Sequence, residues 1–170
     1  PEAIQKAIEV TKEFGIGSGG VPLLTGTSIY QEELEKLIAK ISGMDDTILF
    51  SSGYTANLGV ISGLIRPNNL IIHDKLDHAS LLDGTVMSGA KMIRYKHGDI
   101  NDLERLLKDN SPQYPNGILV VTDGVFSMDG DIAKLPQILE ITRKYDAILL
   151  VDEAHATGVI GDKGAGTLSH

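Results

Sequence analysis

The apolar run Ile148-Leu149-Leu150-Val151 ends in Asp152-Glu153-Ala154-His155, which sets two carboxylates and an imidazole at the close of a strand-like segment. One chemistry for such an ending is an acidic pair holding Mg on a nucleoside triphosphate. That use needs an upstream phosphate loop, and no Gly-x-x-x-x-Gly-Lys-Ser/Thr occurs in the chain. In the alternative, Asp152 pairs with a cationic ring nitrogen while His155 hydrogen-bonds a neighbouring oxygen. A buried carboxylate is costly unless paired, so this reading gives Asp152 the partner it needs. The plain alternative is a capping Asp and an exposed His.

Three further groups carry polar chemistry. Ser51-Ser52-Gly53-Tyr54 lies between an apolar run and a helical stretch, where unpaired N–H groups and the helix dipole attract an anion, Gly allows close approach and Ser adds a hydroxyl. This suits a single phosphate, with an ordinary Ser N-cap as the alternative. His73, Asp74, Asp77 and His78 are of types that suit zinc or iron, yet their spacing matches no zinc signature and His73 reads better as a strand-end residue. The His78 imidazole could instead lie flat over a ring as one wall of a slot. Ser127, in the turn-rich stretch from Asp123-Gly124 to Asp129-Gly130-Asp131, is a turn residue or, beside a ligand, a hydroxyl donor.

The elements that must position these residues follow from periodicity. Ile4, Ala7, Ile8, Thr11 and Phe14 recur at helical spacing between Pro1 and Gly15. Residues 15–28 read as a long irregular loop, a length more often functional than idle. Ser28 with Gln31 forms a capping-box pattern, opening a helix with the stripe Leu34, Leu37, Ile38 and Ile41 that stops at Gly43. Strands are expected at 47–50, 69–73, 91–95, 117–122 and 147–151, with helices at 53–64, 79–88, 99–109 and 134–145. Such alternation predicts an α/β fold, a mostly parallel sheet with helices on both faces. Ligands of such sheets bind at the carboxyl ends of the strands, where the four polar clusters fall.

Composition narrows the classes. The chain has 170 residues, a domain's worth, and 42% hydrophobic with 22% charged residues excludes a disordered or fibrous chain. Lys and Arg number 15 against 23 Asp and Glu, a net charge of −8, and the basic residues are scattered singly. No nucleic-acid partner is expected from such a field. The absence of Cys excludes disulfides, thiolate metal sites and Cys nucleophiles, and a cytoplasmic protein is expected. No apolar run approaches the roughly 18 residues that span a bilayer, and Pro1-Glu2-Ala3-Ile4 carries no secretory signal.

In order along the chain stand Gly17-Ser18-Gly19-Gly20, Leu24-Thr25-Gly26-Thr27, Glu33-Leu34-Glu35, Ser52-Gly53-Tyr54-Thr55-Ala56-Asn57 and Asp77-His78-Ala79-Ser80. Thr122-Asp123-Gly124-Val125-Phe126-Ser127-Met128-Asp129-Gly130-Asp131 and Val151-Asp152-Glu153-Ala154-His155-Ala156-Thr157-Gly158-Val159 follow. This succession resembles the α-oxoamine synthase family. The resemblance implies a fold-type-I enzyme dependent on pyridoxal 5'-phosphate (PLP), condensing an amino acid with an acyl-CoA, usually with decarboxylation, as a homodimer. It implies catalytic roles for His78, Asp152 and His155. Asp152 would pair with the pyridinium nitrogen, His78 would stack on the ring, His155 would hydrogen-bond the ring hydroxyl oxygen, and Ser127 would lie near that oxygen. Ser52, Gly53 and Tyr54 would bind the cofactor phosphate. No metal is implied.

The chain departs from the family pattern in places. Pro22 stands where many members have Arg, Tyr30 where they commonly have His, and Gly164-Ala165-Gly166 replaces Gly-Arg-Gly. These changes bear on substrate identity and dimer contacts and touch no cofactor position. The family's Schiff-base Lys lies well downstream of Asp152, and the only Lys after Asp152 here, Lys163, sits in the Gly161–Gly166 loop and does not match. The chain therefore reads as residues 1–28, an N-terminal helix and Gly-rich loop, followed by 29–170, part of a cofactor-binding large domain without the carboxy-terminal small domain. It is expected to be inactive alone. A noncatalytic scaffold subunit of this fold, an aminotransferase of this fold and, lacking a phosphate loop, a DEAH-type ATPase are the competing readings.

Overall fold

The computed structural model describes residues 1–115 and 117–170. It holds two compact units, Pro1–Ile48 and Leu49–His170. The division falls after the second helix.

In the first unit, α1 (Glu2–Phe14) is preceded by Pro1 and closed by Gly15, whose N–H donates to Thr11 O. Helix α2 (Ile29–Ser42) opens on the expected capping box: Gln31 N donates to Ser28 Oγ at 3.3 Å and Ser28 N to Gln31 Oε1 at 2.7 Å. Gly43 closes it at φ 69°, a left-handed conformation that Gly adopts without steric cost. The ring of Phe14 meets that of Tyr30 edge-on at 5.4 Å. The stretch 15–28 is not irregular throughout. Residues Pro22–Gly26 form one π-helical turn in which Leu24, Thr25 and Gly26 all donate to Val21 O. Pro22 opens this turn where a missing N–H costs nothing.

Residues 47–50, expected as a strand, belong to no strand among the described residues, and Ile48 is 76% exposed. The sheet begins instead at Leu70. The remaining elements of the second unit follow the expected alternation within a residue or so: α3 (Gly53–Leu64), β1 (Leu70–Asp74), α4 (Ala79–Ser88), β2 (Lys91–Tyr95), α5 (Ile100–Asn110), β3 (Ile118–Asp123), α6 (Leu135–Lys144) and β4 (Ile148–Asp152). The sheet order is β2-β1-β3-β4 and every pairing is parallel.

Alternation along the strands divides the core between two faces. Leu70, Ile72, Ile118 and Val120 pack with Leu103 and Leu107 of α5 and Leu135, Ile138 and Ile141 of α6. Ile71, Leu119 and Val121 point the other way, against Ile61 and Ile65 of α3 and its end and Leu81 of α4. Burial on both sides explains why β1 and β3 read as continuous apolar runs. Strand β4 lies at the sheet edge, so Ile148 is 52% exposed and Asp152 is half-buried rather than buried as expected.

Two features of this frame position the chemistry. The chain runs outward from β1 to β2 and then returns past β1 to β3, so the strand order reverses between β1 and β3, the point where open α/β sheets leave a crevice. Register then pairs Asp123 with Asp152, setting two carboxylates side by side at the ends of adjacent strands.

Candidate functional site

A cleft of about 110 Å³ opens at the carboxyl ends of the strands, against the first turn of α3. Of the residues singled out by sequence, Gly53, Tyr54, His78, Ser127, Asp152 and His155 all line it. Ser52 stands at its edge as the N-cap of α3, with its side chain committed to the cap: Thr55 N donates to Ser52 Oγ at 3.2 Å and Ser52 N to Thr55 Oγ1 at 3.1 Å. That cap satisfies Thr55 N, and Ala56 N donates to Ser52 O. Among the described residues, the N–H groups of Gly53 and Tyr54 have no protein acceptor. They are an anion site of the kind a helix start provides.

Three polar lining residues received no role from sequence: Asn57, Ser80 and Asp123. They organise the others. Asn57 Nδ2 donates to Asp152 Oδ2 at 2.7 Å and to Ser80 Oγ at 2.9 Å. The Ser80 hydroxyl in turn meets His78 Nδ1 at 2.8 Å, and Ser80 N donates to the same nitrogen at 3.3 Å. With Nδ1 accepting, the neutral His78 ring carries its proton on Nε2. One amide thus ties the residue ending β4 to the imidazole that caps α4. Signals for these residues existed. Asn57 lies one helical turn beyond Gly53, on the same face of α3, and Asp123 shares a register pair with Asp152.

Close approach of two helices makes the tie possible. A Cβ on Gly84 of α4 would lie 3.1 Å from Asn57 O and from the Ile61 side chain, so glycine lets α3 and α4 meet there. Gly124 does the same service beside Asp123, since a Cβ there would collide with Glu153 and Thr167. Glu153 is itself held by Thr167, whose N–H donates to Oε2 at 2.7 Å and whose hydroxyl donates to Oε1.

The electrostatics of the cleft are set by the acidic pair. Burial, and then the charge of Asp152, push the Asp123 carboxyl up to about 6, while the backbone N–H and ring of His78 pull against them. Asp123 Oδ1 is buried with no hydrogen-bond partner among the described residues. Asp152 stands differently, with Asn57 on one oxygen and Ala154 N on the other at 2.9 Å. At the rim, Tyr54 Oη donates to Asp83 Oδ2 at 2.6 Å, and this bond raises the Tyr54 pKa. The Tyr54 hydroxyl is therefore engaged away from the helix start.

The cluster considered for a metal has dispersed roles. His73 is fully buried, with Nδ1 2.9 Å from Asp77 Oδ2 and Nε2 2.7 Å from Thr85 Oγ1. Asp74 accepts from Leu76 N and Gly98 N on the opposite side. Among the described residues, no group of three His, Cys, Asp or Glu is placed to hold a metal, and no helix is long and apolar enough to cross a membrane.

The family model for aminotransferase class I and II matches residues 1–169. An 8-amino-7-oxononanoate synthase of Thermoanaerobacter pseudethanolicus is 45% identical over 170 residues, covering 100% of this chain and 43% of that protein. The structure of serine palmitoyltransferase from S. paucimobilis, solved with bound PLP and myriocin, matches with a TM-score of 0.92 and 37% identity over 99% of this chain and 42% of that one. That of 8-amino-7-oxononanoate synthase from Francisella tularensis matches with a TM-score of 0.78 and 32% identity over 95% of this chain and 43% of that one. Both are α-oxoamine synthases, the family the motifs resemble, and the chain spans less than half the length of each.

Proposed function

The chain belongs to the aminotransferase class I and II family, and from that membership we propose that its parent protein is a PLP-dependent acyltransferase. In this reading an amino acid and an acyl-CoA thioester condense, with loss of carbon dioxide, to an α-oxoamine. Residues 29–170 would be part of the cofactor-binding large domain, with 1–28 an arm before it. Cytoplasmic localisation and a homodimer belong to the same reading.

The observation that carries it is the hydrogen-bonded chain Asp152–Asn57–Ser80–His78 inside one cleft. The donors and acceptors present fit PLP. The free N–H groups of Gly53 and Tyr54 suit its phosphate, and the half-buried carboxylate of Asp152 suits a protonated ring nitrogen. When bound, PLP supplies an electron-accepting ring that stabilises negative charge on a substrate carbon. The rest falls to the chain's own groups. Asp152 holds a proton at the ring nitrogen, because a carboxylate beside that atom favours its cationic form. His78 provides a flat wall whose orientation Ser80 fixes. His155 and Ser127, which also line the cleft, would supply polar atoms to a ring oxygen.

The test uses the full-length protein. Binding of PLP, followed by its visible absorbance, is expected for the wild type and lost or strongly weakened in Asp152→Ala. CoA release is expected when an amino acid and an acyl-CoA are supplied together, across a panel of each. Transamination faster than thioester consumption would instead make the protein an aminotransferase, and PLP binding without either reaction would make it a scaffold subunit.

A further inference from the structure

The loop that carries Ser127 separates two cavities. Val125 and Ser127 line the cleft already described, whereas Phe126, Asp131 and Ile132 line a second cavity of about 240 Å³ with Tyr95, His97 and Lys134. Within itself the loop is a narrow hairpin: Phe126 N donates to Asp131 O at 3.0 Å, Ala133 N to Gly124 O at 2.9 Å, and Val125 bridges Ile132. These bonds fix its shape and leave its position to outside contacts. Its outer side borders the second cavity, at which the buried Tyr95 hydroxyl has no hydrogen-bond partner among the described residues.

His97, just beyond β2, reaches from the end of β1 to this loop. His97 Nδ1 lies 2.8 Å from Asp74 Oδ1 and Nε2 lies 2.7 Å from Asp131 Oδ2. Two carboxylate acceptors call for two N–H donors, so the ring is held as an imidazolium. Its far end is rigid, because Asp74 closes β1 and also accepts from Leu76 N at 2.9 Å and Gly98 N at 3.0 Å. Its near end grips the loop twice, through Asp131 and through the buried Phe126 ring, which meets the imidazole edge-on at 4.5 Å. Burial of the imidazole opposes its protonation, but the bonds and charges of Asp74 and Asp131 outweigh it and raise its pKa.

We propose that His97 is a positioning residue: it braces the 124–133 loop against Asp74 at the end of β1 and thereby sets Ser127 in the cofactor cleft. The inference rests on the PLP reading of that cleft and assigns a role to residues outside it. Ser127 is exposed and, among the described residues, makes no side-chain bond that would place it on its own, so its geometry is inherited from the loop.

The experiment is a double-mutant cycle in the full-length protein, reading the PLP dissociation constant and the circular dichroism that the bound cofactor acquires. His97→Phe removes both ion pairs, and Asp131→Ala cuts only the loop side, which provides a second variant. Each is expected to weaken PLP binding about fivefold and to reduce the induced signal when Ser127 is present, a coupling of the usual size for residues sharing one network. In the Ser127→Ala background the same changes are expected to have almost no further effect. An equal loss in both backgrounds, or no loss in either, overturns the inference while leaving the function intact. A wild-type protein that binds no PLP overturns both.

Discussion

Asn57 Nδ2 lies 2.7 Å from Asp152 Oδ2, although 95 positions separate the two in sequence. Its second N–H reaches Ser80 Oγ, so a single planar amide fixes the distance between the carboxylate and the imidazole that flank the cleft. Hydrogen bonds to a charged acceptor are stronger than neutral ones. The half-buried carboxylate has Ala154 N as its other partner.

Asn57→Ala leaves Asp152 Oδ2 and Ser80 Oγ each short of a donor, a change of about 1.5–3 kcal/mol for a bond to a charged group. We expect PLP affinity of the full-length protein to fall roughly tenfold or more. Asn57→Asp is expected to be worse, since a third carboxylate then joins Asp123 and Asp152. Equilibrium dialysis against PLP measures both, and unchanged affinity in Asn57→Ala would remove this residue from the site.

The two N–H groups that open α3 yield a sharper case. Gly53 is the first helical residue, Ser52 before it is extended at φ −161° and ψ 160°, and a Cβ on Gly53 meets nothing within 4 Å. Proline is well tolerated at that position and after such a residue, so Gly53→Pro deletes one donor and keeps the helix. PLP binding should weaken about tenfold, whereas binding of pyridoxal, which lacks the phosphate, should not change. Tyr54→Phe, which loses only the rim bond to Asp83, should leave both alone. Competition titrations of the two vitamers distinguish these outcomes.

Glycines on the two helices differ in what they permit. Gly84 sits where α4 touches Asn57 O and Ile61, whereas Gly63 on α3 has open space around its Cβ position. Gly84→Val should force the helices apart, lowering the melting temperature and weakening PLP binding through displacement of Asn57. Gly63→Ala should be neutral or stabilising by up to about 1 kcal/mol, the propensity difference in a helix interior. Differential scanning calorimetry with PLP titration checks both, and equal destabilisation would mean that helix contact is not the cause.

Much of this was legible in the residues because local signals and tertiary structure agree. Ser28 with Gln31, Gly43, and the apolar runs of β1 and β3 each mark one element, and six of the seven expected site residues line one cleft. Other features depend on neighbours in space. Thr47–Phe50 has the composition of a strand but belongs to no strand among the described residues. Ile148 looks as buried as Val120 until β4 proves to be an edge. Asn57, Ser80 and Asp123 acquire their roles only when α3, α4 and β3 are brought together, because nothing in a lone Asn or Ser announces a bond to a residue far along the chain. The pairing of His97 with Asp74 and Asp131 is hidden for the same reason.

Beneath the site lies a buried pair whose proton makes stability depend on pH. Burial, and then the charges of Asp123 and Asp74, push the Asp77 carboxyl up to about 9. Burial, and then Arg94, lower the His73 imidazole to about 4. Both shifts favour the uncharged forms, so Asp77 donates to His73 Nδ1, His73 Nε2–H donates to Thr85 Oγ1, and the Thr85 hydroxyl donates to Leu81 O at 3.0 Å. The folded pair holds one proton. The unfolded pair also holds one between about 3.9 and 6.5, as imidazolium and carboxylate, so the two shifts cancel in that range. Above about 6.5 the unfolded pair holds none while the folded pair keeps its proton until near 9. The native state then binds more protons, and stability falls as pH rises through that interval, with a limiting slope of about 1.4 kcal/mol per pH unit. Asp77→Asn keeps a donor toward His73 and cannot ionise, so it should cost little near neutrality and abolish most of the alkaline decline. Urea denaturation of the full-length protein from neutral to mildly alkaline pH makes the comparison. A decline equally steep in the variant would show that the proton held by this pair is not the source of the pH dependence.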